Sequence, residues 1–318
     1  MSDDSGHELV LPPISDDDNI CLPLSVNAVA KYWNIDLPIA EANEIASKYV
    51  GMNGSILIEG INLAERHGLS SLILHSSIME LKQVIDMGIP PIVILPGLHA
   101  VVQHASIISG YDDNEKTIFH YVPEQKPSEE GIQVGVIPEK RFEKLWSEDG
   151  CLMVLLGPTD IISTLKSDQN KIKSNRLCFE SEKLSLQKQT KETTDSLKKA
   201  IELNPDNSTA LCLLGGILNE QNNPECVSYY EKNENCYLAF RGLGNFYLKN
   251  QQFDKSEENY TKAIKINDNR FGPIYKNRGY VRQQQNKMKQ AKEDYQNYIK
   301  FTPNAKDRGM IERALNEM

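Results

Sequence analysis

Long apolar runs are what this sequence most plainly lacks. No stretch of its 318 residues approaches the about 20 apolar residues that a membrane helix needs. The first ten residues, MSDDSGHELV, are acidic rather than basic-then-apolar, so neither a signal peptide nor a membrane partner is expected, and the default address is the cytoplasm. Cysteine is sparse. The six residues at 21, 151, 178, 212, 226 and 236 show neither the close pairs of a metal site nor the density of a disulfide scaffold, so reduced thiols are expected. No glycine-rich phosphate loop or metal-ligand cluster stands out, and no cofactor is expected. Basic residues are scarce in the first half: residues 1–159 carry 9 Lys/Arg against 23 Asp/Glu, whereas residues 160–318 carry 26 against 21. An acidic first half and a mixed second half offer no phosphate-binding patch, so nucleic acid is not an expected partner. Two differently charged halves imply two domains.

What is present begins with Asn19–Trp33, NICLPLSVNAVAKYW. Leu22, Val26, Val29, Ala30 and Trp33 recur at helical spacing, and Pro23 falls in the first turn, where a missing N–H costs nothing. Cys21 is thereby placed at a helix N-terminus, where the dipole and unpaired N–H groups favour a thiolate. Helical periodicity continues over residues 39–49 and 56–67, the latter closed by Gly68. The pattern then changes to buried strands at 71–75 and 91–95 around a helix at 78–87. His104–Gly110, the turn Tyr111-Asp112-Asp113 and the returning segment TIFHYV predict a hairpin. A helix at 138–146 and a strand at 151–156 follow. Helices first and an antiparallel sheet afterwards indicate an α+β domain.

A thiol opening the first helix, a histidine opening a central strand, Cys-x-Pro, the Tyr32-Trp33 pair, His104 six residues before Gly110-Tyr111-Asp112-Asp113, and Phe142-x-x-x-Trp146 occur in one order. That order resembles the papain-like cysteine peptidases, specifically the family that removes double-glycine leaders from bacteriocins. The resemblance covers residues 10–158 and implies a papain-like fold in which Cys21 is the nucleophile and His104 the general base. It also implies a glutamine about six residues before the cysteine, where this sequence has Ser15, and an Asp or Asn before Pro123, where it has Val122. Asn19 is the candidate oxyanion donor. His120, two residues back and hence on the same strand face, is the candidate orienter. His99, in GLHAVV, is the rival base. Three readings therefore stay open: a cysteine peptidase cleaving peptide substrates, a weakened or inactive peptide-binding scaffold, and a thiol-dependent transferase or amidase that uses the Cys21–His104 pair on a non-peptide acyl group.

After a polar stretch over residues 160–190, read as a linker running into a helix, internal similarity appears. LKKAIELNPDN (197–207), YTKAIKINDN (260–269) and YQNYIKFTPN (295–304) are three copies of one ending, and Gly244, Ser256 and Tyr260 superpose on Gly279, Ala291 and Tyr295 at a spacing of 35. Gly215 precedes Gly244 by only 29, which predicts a shortened second helix near residues 227–230. The pattern resembles the tetratricopeptide repeat, a helix–turn–helix unit that stacks into an all-α solenoid and holds proteins or peptides in a groove. On that resemblance Arg241, Asn245 and Asn277 fall at groove positions, and a protein partner is expected. The expected organisation is a papain-like α+β domain over 1–159, a connection over 160–190, and the repeats over 191–318.

Overall fold

A computed structural model describes residues 5–12, 21–48, 55–96, 103–122, 133–233, 236–268 and 272–318. Seven strands are present among them: β1 (Gly6–Glu8), β2 (Ser70–His75), β3 (Ile92–Pro96), β4 (Gln103–Asp112), β5 (Thr117–Val122), β6 (Gln133–Pro138) and β7 (Leu152–Gly157). The helices of the first part are α1 (Cys21–Tyr32), α2 (Ile39–Ser47), α3 (Leu57–Arg66), α4 (Ile78–Asp86), α5 (Glu139–Trp146), α6 (Thr159–Ile162), α7 (Gln169–Leu186) and α8 (Thr190–Leu203). Those that follow are α9 (Ser208–Glu220), α10 (Cys226–Glu231), α11 (Tyr237–Lys249), α12 (Phe253–Ile266), α13 (Ile274–Gln284), α14 (Met288–Phe301) and α15 (Arg308–Glu317). No described helix is long and apolar enough to cross a membrane.

Two compact units result. One comprises Met1–Leu95 with His104–Asn207, the other Pro96–Gln103 with Ser208–Met318.

The first unit is built on one sheet in the order β2-β7-β3-β4-β5-β6, with β1 added beside β4. The β1–β4, β2–β7, β3–β7, β4–β5 and β5–β6 pairs are antiparallel. The pleat sends alternate side chains to opposite faces, and each face is covered by helices. Ala105, Ile107, Tyr121 and Val154 join Leu22, Val26 and Val29 of α1 and Ile58 and Ile61 of α3 in one cluster. Ile108, Ile118, Val93 and Leu155 join Leu81 and Ile85 of α4 and Phe142 and Trp146 of α5 in the other. Indole nitrogens anchor both layers. Trp33 Nε1 donates to the Leu156 carbonyl at 2.9 Å, and Trp146 Nε1 to that of Leu152 at 2.8 Å.

Helices α7 and α8 belong to this unit, so its compact body runs to residue 207, past the span 160–190 read as a connection. The reason is a buried polar chain. Asn175 Nδ2 donates to the Ile73 carbonyl of β2 at 2.7 Å, and Asn207 Nδ2 donates to Asn175 Oδ1 at 2.9 Å and Ser174 Oγ at 2.8 Å. Ser174, Asn175 and Asn207 are each no more than 2% exposed, and buried amides left unpaired would be costly, so the helices are held in this register. Arg176 reinforces it with paired N–H donations to both oxygens of Glu65 on α3, at 2.6 and 2.8 Å.

In the second unit α11 packs on α12 and α13 on α14 through one device used repeatedly. A Cβ on Gly244 would stand 2.6 Å from the Tyr260 ring, one on Gly279 2.9 Å from Tyr295, and one on Gly215 2.8 Å from Tyr230. Glycine at the crossing lets each tyrosine lie flat against the preceding helix. The shortened spacing from Gly215 to Gly244 is absorbed by α10, which has 6 residues where α12 and α14 have 14. Asp294, 1% exposed, is gripped by Arg278 at 2.6 and 2.9 Å and by Arg282 at 2.9 Å.

Candidate functional site

Cys21 is the first residue of α1, and the apolar face of that helix seats it against the middle of the sheet. The backbone N–H groups of Ala105 on β4 and of Leu22 and Cys21 at the helix end lie close enough to act on its thiol. Those donors favour the thiolate, as the sequence suggests. Burial is the larger effect, however, and the thiol is pushed above its ordinary value, so it rests protonated. The expectation of a depressed thiol pKa is therefore corrected: burial takes away more solvation than the N–H dipoles replace.

His104 immediately precedes Ala105 on β4. The pleat turns it to the face of Ser106 and His120, away from the cluster that holds Ala105. Burial lowers its pKa, so its ring too rests neutral. Its Nε2 is buried with no hydrogen-bond partner, and among the described residues no hydrogen bond joins it to Cys21.

His120, on β5, is close enough to His104 for a charge on one to oppose a charge on the other. That repulsion adds to burial, and His120 is lowered to about 4. Its tautomer follows from Ser106. The Ser106 hydroxyl donates to the Tyr121 carbonyl at 2.9 Å, so at 3.3 Å from His120 Nδ1 its oxygen is the acceptor. Nδ1 therefore carries the proton and Nε2 the lone pair. The ring lies over Gly135 of β6, where a Cβ would collide with Nε2. Ser106 and Gly135 are participants that the sequence reading missed. Ser106 was findable, because it lies two residues from His104 and so shares its face; Gly135 became visible only with the β5–β6 register, His120 opposite Gly135.

Thus Cys21, His104 and His120 are gathered around residues 104–106, as a chain of neighbours rather than as a hydrogen-bonded relay. Asn19, Ser15, His99 and Pro123 lie outside the described residues. Among the described residues no group of three or more His, Cys, Asp or Glu side chains is placed to hold a metal ion.

In the second unit the other candidates also meet. Asn245 Oδ1 accepts from the Tyr260 hydroxyl at 2.7 Å and from Asn277 Nδ2 at 3.3 Å. Arg241 lies near enough to the Tyr230 and Tyr260 hydroxyls for its charge to act on both. This face offers a guanidinium and amide N–H groups, donors suited to a carboxylate or a peptide carbonyl.

In comparison with known protein families, residues 242–270 match the Tetratricopeptide repeat. Those residues span the Gly244 crossing and the whole of α12, and such repeats mediate contacts between proteins. No curated protein matches the chain. Among solved structures, the MamA protein is 17% identical over 46% of this chain and 85% of its own, with a TM-score of 0.39. PilF of Pseudomonas aeruginosa is 16% identical over 47% and 70%, with a TM-score of 0.43. The peptidase domain of Streptococcus ComA, described as a bi-functional ABC transporter involved in quorum sensing, is 21% identical over 47% and 98%, with a TM-score of 0.37.

Proposed function

We propose that the protein is an adaptor. Its first unit is a papain-like domain, akin to the double-glycine leader peptidases, that binds an extended peptide beside Cys21 and His104 without efficient hydrolysis. Its repeats recruit a protein partner. The observation that carries this reading is the pairing of thiol and backbone. The Ala105 N–H acts on the Cys21 thiol where His104 does not, and burial drives the thiol and the imidazole toward their neutral forms. A cysteine peptidase works from a thiolate–imidazolium pair, and both shifts oppose that state. His120 cannot supply the missing carboxylate either, since its Nδ1–H is spent on Ser106 and its Nε2 faces Gly135.

One observation favours the peptidase as the second reading. The unpartnered Nε2 of His104 is poised to accept a proton if a bound substrate reorders the strand; Asn19 then supplies the oxyanion contact. The two readings separate in one experiment. A pool of synthetic peptides carrying a double-glycine is incubated with the protein and with Cys21→Ala, and binding and cleavage are read by calorimetry and mass spectrometry. The adaptor reading expects equal binding and no cleavage with either protein. Cleavage by the wild type that Cys21→Ala abolishes overturns it.

For the repeats, Arg241, Asn245 and Asn277 are assigned to the groove as donors to a partner's carboxylate. A peptide retained by the protein loses about tenfold or more in affinity on C-terminal amidation and on Arg241→Ala, as expected for a charge-assisted hydrogen bond of about 1.5–3 kcal/mol. Equal affinity in all cases removes that assignment.

A further inference from the structure

Two cysteines far apart in the chain meet in the second unit. Cys236 occupies the N-cap of α11, and Cys212 lies on α9; their sulfurs are 3.7 Å apart. Around them are Ser208, whose hydroxyl donates to Cys236 Sγ at 3.9 Å, and Asn233, whose Nδ2 donates to Cys212 Sγ at 3.3 Å. The two sulfurs are not equivalent. Cys236 is 7% exposed and is favoured as a thiolate first by the Cys212 thiol, and then by the backbone N–H groups of Ala239 and Leu238 at the start of a helix of 13 residues. These donors outweigh burial and bring it down to about 7, whereas the four other cysteines with a resolved shift, Cys21, Cys151, Cys178 and Cys226, are all raised by burial.

The place of the pair in the repeat is also informative. Cys212 stands three residues before Gly215 as Arg241 stands three before Gly244, so it takes in the preceding unit the groove position that Arg241 takes in the matched one. Cys236 immediately precedes the helix that carries Arg241 and Asn245.

We propose that Cys212 and Cys236 are a dithiol modification site, oxidised by peroxide to a disulfide that ties α9 to α11. The Cys236 thiolate attacks one peroxide oxygen, the O–O bond breaks, and the departing hydroxide takes a proton to leave as water, giving a sulfenic acid. Cys212 then attacks Cys236 Sγ, the S–O bond breaks, and the hydroxyl leaves as a second water with the Cys212 proton. Two thiols and one peroxide become one disulfide and two waters. A small oxidant suits a thiol this enclosed, and closing from 3.7 Å to about 2.05 Å asks for side-chain rotation more than helix movement.

The test uses the full chain. It is treated with a small excess of hydrogen peroxide, quenched by alkylation, and digested for mass spectrometry, with Cys212→Ser and Cys236→Ser alongside. The number of alkylatable thiols is expected to fall by two from six, with a dithiothreitol-reversible link joining the peptides that contain residues 212 and 236. Cys212→Ser is expected to leave a dimedone-reactive sulfenic acid at 236, and Cys236→Ser to slow oxidation at 212 by about tenfold or more, following the loss of the low-pKa thiol. The wild-type digest decides the matter even if a variant misfolds. Residues 212 and 236 remaining as alkylatable as the other cysteines, or peroxide consumed elsewhere with no 212–236 link, overturns the proposal.

Discussion

His120 offers the sharpest handle on the face that carries His104, because its neutral state is a stability term. An unperturbed histidine titrates near 6.5, and burial together with His104 lowers His120 to about 4. A depressed histidine contributes stability that is fully present above the unfolded pKa and is lost as pH falls toward the folded one. Between pH 7 and pH 5 a shift of this size removes about 2 kcal/mol, and the ring's partial exposure reduces that to about 1 kcal/mol. The readout is selective, since the only tryptophans, Trp33 and Trp146, both lie in the first unit. Urea unfolding followed by tryptophan fluorescence should show the wild type losing about 1 kcal/mol more than His120→Gln between those two pH values. Glu182, pushed up to about 7 by burial, changes charge in the same window, but it does so in both proteins and cancels in the comparison. Parallel losses in the two proteins would refute the buried, neutral assignment of His120.

Two further outcomes follow from packing. Gly135→Ala puts a methyl where the His120 ring lies, so the ring must swing out toward water and the Ser106 contact must lengthen. Imidazole NMR should then show His120 titrating closer to 6.5, and an unchanged titration would refute the stacking. In the second unit, Asp294→Ala leaves Arg278 without its buried carboxylate, while Arg282 keeps Glu257, at a cost of about 3 kcal/mol. Far-ultraviolet circular dichroism of the full chain should show the helical transition at markedly lower denaturant, and a loss below about 1 kcal/mol would mean the pair is replaceable by water.

Much of the first unit was legible because its elements obey simple periodicities. SLILH, PIVIL and CLMVLL are apolar runs of strand length bounded by turn residues, and they became β2, β3 and β7. The alternation in TIFHYV placed His120 on one face and Tyr121 on the other, as found. The strands that escaped, β1 and β6, are GHE and QVGVIP: the first is too short and polar to carry a pattern, and the second is interrupted by glycine at the point where the His120 ring needs room. Helix α7 has a weak apolar face and is held by Asn175 and Arg176, whose partners lie about a hundred residues away, so no local pattern could reveal its attachment. Cys21 shows the same limit on the chemical side. A helix N-terminus can be read from one segment and argues for a thiolate. Desolvation by the assembled fold cannot, and it reverses the sign. The Cys212–Cys236 pair likewise exists only because successive repeat units bring α9 and α11 together.

The most direct measurement is the alkylation rate of Cys21 by iodoacetamide between pH 5 and pH 9, resolved by peptide mass spectrometry and referenced to the urea-unfolded chain. A buried, neutral thiol beside the Ala105 N–H predicts a rate at or below the unfolded reference throughout, rising with pH and indifferent to His104→Ala. Fast alkylation already at pH 5–6 that His104→Ala abolishes would mean a thiolate–imidazolium pair, and would contradict the account.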